Sequence, residues 1–171
     1  MRRKYARSLA SASRPQVNNP EKAREYAFLL LKYRLRSEQE LLQRLKLKGF
    51  SEELCRDTLN FLKDREFIDD RIFARGWVSS RLKRPFGLRR IKQELIQKGL
   101  DKEVIEDTLR RYRGQSPLEE DYDEGSIVRR LAEQRFSKLK GVEPLKARQR
   151  VYAYLMRRGF SPDLISSVVN K

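Results

Sequence analysis

Residues 38–62, EQELLQRLKLKGFSEELCRDTLNFL, residues 88–109, LRRIKQELIQKGLDKEVIEDTL, and residues 147–169, ARQRVYAYLMRRGFSPDLISSVV, repeat one pattern three times. Each copy is anchored on a glycine: Gly49, Gly99 or Gly159. Eight residues before the anchor stands Leu41, Ile91 or Val151, and four before it Leu45, Leu95 or Leu155. One residue after it comes Phe50, Leu100 or Phe160. Five and six after it come Leu54–Cys55, Val104–Ile105 or Leu164–Ile165, and ten after it Leu59, Leu109 or Val169. Apolar residues four apart make one stripe on a helix. The glycine can take the left-handed conformation that ends a helix, and Lys48, Lys98 or Arg158 before it suits the negative end of the helix dipole. Ser51, Asp101 and Ser161 are suitable N-caps for a following helix, with Glu52, Glu103 and Asp163 in its positive first turn.

A further helical stretch precedes each copy. Asn19-Pro20-Glu21 opens the first, Asp69-Asp70 the second, and the third begins near Gly125. Ser37-Glu38-Gln39-Glu40 reads as a capping box, and Gly87 and Pro144 open the equivalent helices further on. No window alternates as a half-buried strand must. The expected architecture is all-α: three tandem three-helix repeats forming an elongated, curved helical array. Its parts are a basic, mobile arm over 1–20, repeat 1 over 21–68, repeat 2 over 69–113, an acidic linker over 114–124 and repeat 3 over 125–171.

Composition narrows the chemistry. The chain has 171 residues, 40 Lys+Arg against 24 Asp+Glu, a formal net charge of +16, no histidine and one cysteine. Without histidine there is no His-dependent triad and no His-containing metal site. A lone Cys55 makes no internal disulfide and fits a reducing, cytoplasmic setting. The basic N-terminus has too broken an apolar stretch for a signal peptide, and no run is long enough to span a membrane. Neither a Walker-type phosphate loop nor a spaced carboxylate set is visible, so the expectation is no enzyme, no cofactor and no metal.

The charge is unevenly placed. Repeat 1 carries a net +2, repeat 2 a net +6, the linker −5 and repeat 3 a net +8. Ten and nine residues before each glycine stand Gln39–Glu40, Arg89–Arg90 and Gln149–Arg150, opposite the apolar stripe. That outer face turns from acidic to basic along the array. Folding alone does not ask for this, whereas a polyanion does.

The strings RSEQELLQRLKLKGF, FIDDRIFARGWV and GLRRIKQELIQKGL resemble the RecX family of bacterial regulatory proteins. The resemblance rests on Arg36-Ser37-Glu38, Glu40-Leu41, Lys48-Gly49-Phe50, Asp69-Asp70, Phe73-Ala74 and the span from Gly87 to Gly99, and is strongest over residues 22–112. It implies three tandem three-helix repeats and a monomeric regulator of the recombinase RecA. Such a protein binds the RecA filament on single-stranded DNA along its helical groove. It inhibits ATP hydrolysis and strand exchange, and has no active site. The basic arm and the acidic linker depart from the family pattern.

No catalytic motif transfers, so the candidate binding residues follow from charge: Arg81, Lys83, Arg84, Arg89, Arg90 and Lys92 in repeat 2, and Arg129, Arg130, Arg148, Arg150, Arg157 and Arg158 in repeat 3. Their expected role is electrostatic docking on the filament and its DNA. Asp69 and Asp70 read as helix caps rather than metal ligands, Cys55 and Trp77 as core, and Phe86 as a packed loop aromatic. The competing reading is a stand-alone helical DNA-binding protein of helix-turn-helix type. The acidic residues opening its best recognition helices count against it.

Overall fold

Where a left-handed glycine stops one helix and an extended serine or aspartate starts the next, the chain must turn back on itself, and it does so once in each repeat. The structure, a computed structural model, describes residues 19–112 and 122–170. Among them are nine α-helices and no strand. Unit 1 holds α1 (Pro20–Tyr33), α2 (Glu38–Lys48) and α3 (Glu52–Asp64). Unit 2 holds α4 (Asp70–Leu82), α5 (Leu88–Gln97) and α6 (Lys102–Arg110). Unit 3 holds α7 (Glu124–Ser137), α8 (Pro144–Arg158) and α9 (Pro162–Val169). The expected arm, and the linker as far as residue 121, lie outside the described residues.

The repeated positions do what their spacing requires. Leu41, Leu45, Ile91, Leu95, Val151 and Leu155 are fully buried, as are Cys55, Ile165 and Phe160. Each unit packs its own apolar core, with Phe73, Ala74 and Val78 of α4 closing that of unit 2 and Val128, Leu131 and Ala132 of α7 that of unit 3. Asn19, Ser51, Asp69 and Ser161 cap their helices through side-chain oxygens. Two expected caps differ. Asp101 stands at the N-cap with extended backbone but makes no side-chain bond. Ser37 accepts from the Glu40 N–H at 3.2 Å, but the Glu40 carboxylate does not return the bond. It is taken by Arg34 and Lys98 instead, because a charged partner outcompetes a backbone amide.

The units meet end to end through one joint used twice. The N-terminus of a middle helix docks onto the glycine turn and first helix of the next unit. In the first joint the Ser37 hydroxyl donates to the Lys98 carbonyl at 2.6 Å, and the Glu38 N–H donates to Asp70 at 2.9 Å. In the second the Gly87 N–H donates to the Arg158 carbonyl at 2.9 Å, and the Leu88 N–H donates to Glu124 at 2.9 Å. Asp70 therefore caps a helix of the preceding unit rather than its own. Glu124, expected in the linker, does the same at the second joint. Its neighbour Tyr122 donates to the Phe86 carbonyl at 2.9 Å, so this end of the acidic segment is fixed.

The backbones approach closely at the second joint. A Cβ on Gly87 would lie 2.2 Å from the Gly159 carbonyl oxygen. A Cβ on Gly159, whose φ is +86°, would lie 2.2 Å from Cβ of Arg90. Glycine at both places is thus a condition of docking.

Candidate nucleic-acid interface

The position nine residues before each glycine is not the plain outer face that periodicity suggests. Glu40 and Arg90 are half-buried at the joints, whereas Arg150 is exposed. The position ten before it, Gln39, Arg89 or Gln149, is exposed in all three.

The twelve candidate cations fall into two groups. Arg81, Arg90, Lys92 and Arg158 are half-buried and engaged within the chain. Arg81 and Arg90 both donate through Nε to the Glu94 carboxylate, at 2.6 and 3.1 Å. Lys92 pairs with Glu106. Arg158 donates to the Pro85 carbonyl at 3.1 Å and covers the Tyr154 ring. Lys83, Arg84, Arg89, Arg129, Arg130, Arg148, Arg150 and Arg157 are exposed. Of these Arg129 sits 3.6 Å from Asp123, and the other seven pair with none of the described carboxylates.

Helical geometry sorts the exposed group further. Lys146, Arg150 and Arg157 recur at intervals of four and seven residues and so share one stripe of α8. Arg148, two residues from Arg150, projects from another side of the helix. Lys146 is a member of the stripe that charge counting passes over. The periodicity of α8 is enough to find it.

The engaged cations run from the first joint across unit 2. Arg34 and Lys98 hold Glu40, and Lys98 and Arg81 both lie over the Trp77 ring, 4.7 and 4.3 Å from its centroid. Trp77 Nε1–H donates to Glu94 at 3.0 Å, and Arg90 covers the Phe86 ring at 4.1 Å. Trp77 is thus only partly core: one face stacks on Phe73 while its indole N–H ties the cluster to Glu94. Burial raises the carboxyl pKa of Glu40, but the hydrogen bonds from Arg34 and Lys98 outweigh it and hold the group down at about 2. At Glu94 burial likewise pushes up, and Arg81 and Arg90 bring the group below the usual carboxylate range. Both carboxylates are charged at neutral pH, and each is held by two cationic partners.

Among the described residues no helix is long and apolar enough to cross a membrane. The sequence matches family models described as RecX, first three-helix domain, over residues 23–62, RecX, second three-helix domain, over 69–109, and RecX, third three-helix domain, over 123–169. It is 34% identical over 152 residues to the Regulatory protein RecX of Chlorobium phaeobacteroides (strain BS1), covering 88% of this chain and 93% of that one. It is 32% identical over 148 residues to the Regulatory protein RecX of Pasteurella multocida (strain Pm70), covering 86% and 85%. The fold is similar to the crystal structure of RecX from Lactobacillus salivarius, with a TM-score of 0.74 at 24% identity over 88% of this chain and 94% of that one. Three matched domains in order, relatives aligned along nearly their whole length and a shared tandem architecture lead to one conclusion: this chain belongs to the RecX family of regulatory proteins.

Proposed function

We propose that this protein binds RecA filaments on single-stranded DNA and inhibits their ATP hydrolysis and strand exchange, so modulating recombination and DNA repair. It acts as a monomer in the cytoplasm, needs no cofactor and performs no reaction of its own. The observation that carries this reading is the set of exposed cations on units 2 and 3 that pair with none of the described carboxylates: Lys83, Arg84, Arg89, Arg130, Arg148, Arg150 and Arg157. Exposed cations along an array repel one another unless a polyanion relieves them. A nucleoprotein filament is a polymer with anionic sites repeated along it, which suits a ligand built from repeated units.

The test is the steady-state ATPase rate of RecA on single-stranded DNA, titrated with this protein at two salt concentrations. The expected result is inhibition that weakens at the higher salt, and weakens further in the Arg150→Glu, Arg157→Glu double variant. An ATPase rate unaffected at every ratio overturns the reading. Sequence-specific protection of duplex DNA without RecA would support a stand-alone binder in its place.

A further inference from the structure

Two cations share one half-buried carboxylate in each of two clusters, Glu40 at the first joint and Glu94 within unit 2. The carboxylates are the more covered members, the Glu40 and Glu94 side chains being 15% and 17% exposed. Their cations are more exposed, at 43% for Arg34, 22% for Lys98, 24% for Arg81 and 42% for Arg90. Each cluster carries one positive charge in surplus. Arg34 turns its fork inward, because both of its Nη atoms bond to Glu40 and Nη1 also bonds to the Leu35 carbonyl. Arg81 and Arg90 do not, because each reaches Glu94 through Nε, which leaves the Nη donors of both guanidinium groups. Lys98 bonds to Glu40 and has two further N–H donors. Trp77 and Phe86 support the same three cations from the side.

We propose that Arg81, Arg90 and Lys98, supported by Trp77 and Phe86, form a phosphate-binding face for single-stranded nucleic acid, and that Glu94 is the positioning residue that holds its two arginines in place. The inference deepens the function proposed above, rests on that reading, and adds a nucleic-acid contact that runs across repeat 2, from Lys98 at its joint with repeat 1 to Arg90 at its joint with repeat 3. Nucleic acid is the fitting occupant because guanidinium groups present paired donors to phosphate oxygens, and here they are held over aromatic rings that fix their planes. Fixing the arginines beforehand removes the side-chain entropy that a phosphate would otherwise have to overcome.

This makes an unusual demand on a charge variant. Glu94→Gln raises the net charge, so charge counting alone requires tighter binding to a polyanion. Positioning requires the reverse, because a carboxamide cannot hold two guanidinium groups. The measurement is fluorescence anisotropy of labelled oligo(dT) across a salt series. Glu94→Gln is expected to weaken binding about three- to tenfold and to make the slope of log K against log salt shallower by about 0.7 for each phosphate that is no longer neutralised. Arg90→Lys keeps the charge and should also weaken binding by a few-fold, which decides the matter if Glu94→Gln fails to fold by circular dichroism. Trp77, the only tryptophan in the chain, should change its emission when oligo(dT) binds the unmodified protein.

Unchanged or tighter binding by folded Glu94→Gln, or by Arg90→Lys where it alone folds, overturns the proposal. So does a protein that inhibits RecA without binding oligo(dT), which leaves the function standing and makes this face a contact for acidic protein. Oligo(dT) binding with the stated responses but no effect on RecA leaves this face standing and overturns the function.

Discussion

Glu40 has two opposing environments. Burial at the first joint favours its neutral form, while hydrogen bonds from Arg34 and Lys98 favour the charged one and prevail, with a resulting pKa of about 2. A carboxyl whose pKa is lower folded than unfolded adds stability above its unfolded pKa and loses it as the pH falls toward the folded one. The contribution of Glu40 is therefore complete at neutral pH and fades between about pH 4.5 and pH 2. Glu40→Gln should destabilise the protein at pH 7 by about 1–3 kcal/mol, the usual range for a charge-assisted hydrogen-bonding site. The gap between variant and wild type in thermal melts should close as the pH approaches 2. A gap that stays constant would mean that the two cations contribute nothing through charge. The residue is legible in the sequence as part of a capping box, but its real partners are not. One of them, Lys98, is 58 residues away in the chain, and its ordinary place before a glycine gives no sign of a second role.

Helix ends show a similar division between what periodicity reveals and what it hides. Ser37, Ser51 and Ser161 all accept an N–H in the first turn of their helices, and each is readable as a cap. Only Ser37 also donates across a joint, to the Lys98 carbonyl, and it is fully buried. Losing a serine cap costs about 1 kcal/mol, and losing the part-buried bond to the Lys98 carbonyl costs about 0.5–1.5 kcal/mol more. Ser37→Ala should thus lower the denaturant midpoint more than Ser161→Ala does, and the difference measures the joint. Equal midpoints would show that the bond across the joint contributes nothing. The apolar stripes of α2, α5 and α8 are legible because a 3.6-residue period is local. Asp70 reads as a cap of its own helix, and Glu124 as part of a linker, because the amides they cap belong to residues 32 and 36 positions earlier. No local pattern carries that information.

The three units form an array because the same joint is made twice, and the middle helix of the third unit starts differently from those that make it. In units 1 and 2 the middle helix starts eleven residues before its glycine and takes a carboxylate from the next unit. In unit 3 α8 starts at Pro144, fifteen residues before Gly159, and is capped by its own Glu143, which accepts from Leu145 and Lys146 at 2.9 Å. The joint surface is thereby replaced by an extra turn of helix, which leaves Arg150 exposed where Glu40 and Arg90 are partly covered. Since every unit has its own core, opening a joint should leave the helices intact and change only how the units are set against one another. Gly87→Ala tests this, because its Cβ would meet the backbone at Gly159, where nothing flexible can move aside. Overpacking of this kind costs about 1–3 kcal/mol. The expected outcome is unchanged helicity by circular dichroism, a broader and less cooperative thermal transition, and weaker inhibition of RecA. Gly141→Ala is the control: it strains a loop glycine of positive φ but meets nothing within 4 Å. It should lower the melting temperature slightly and leave inhibition alone. If Gly87→Ala inhibited as well as the wild type while its transition broadened, the cations of units 2 and 3 would act independently, and the fixed spacing between them would have no part in binding.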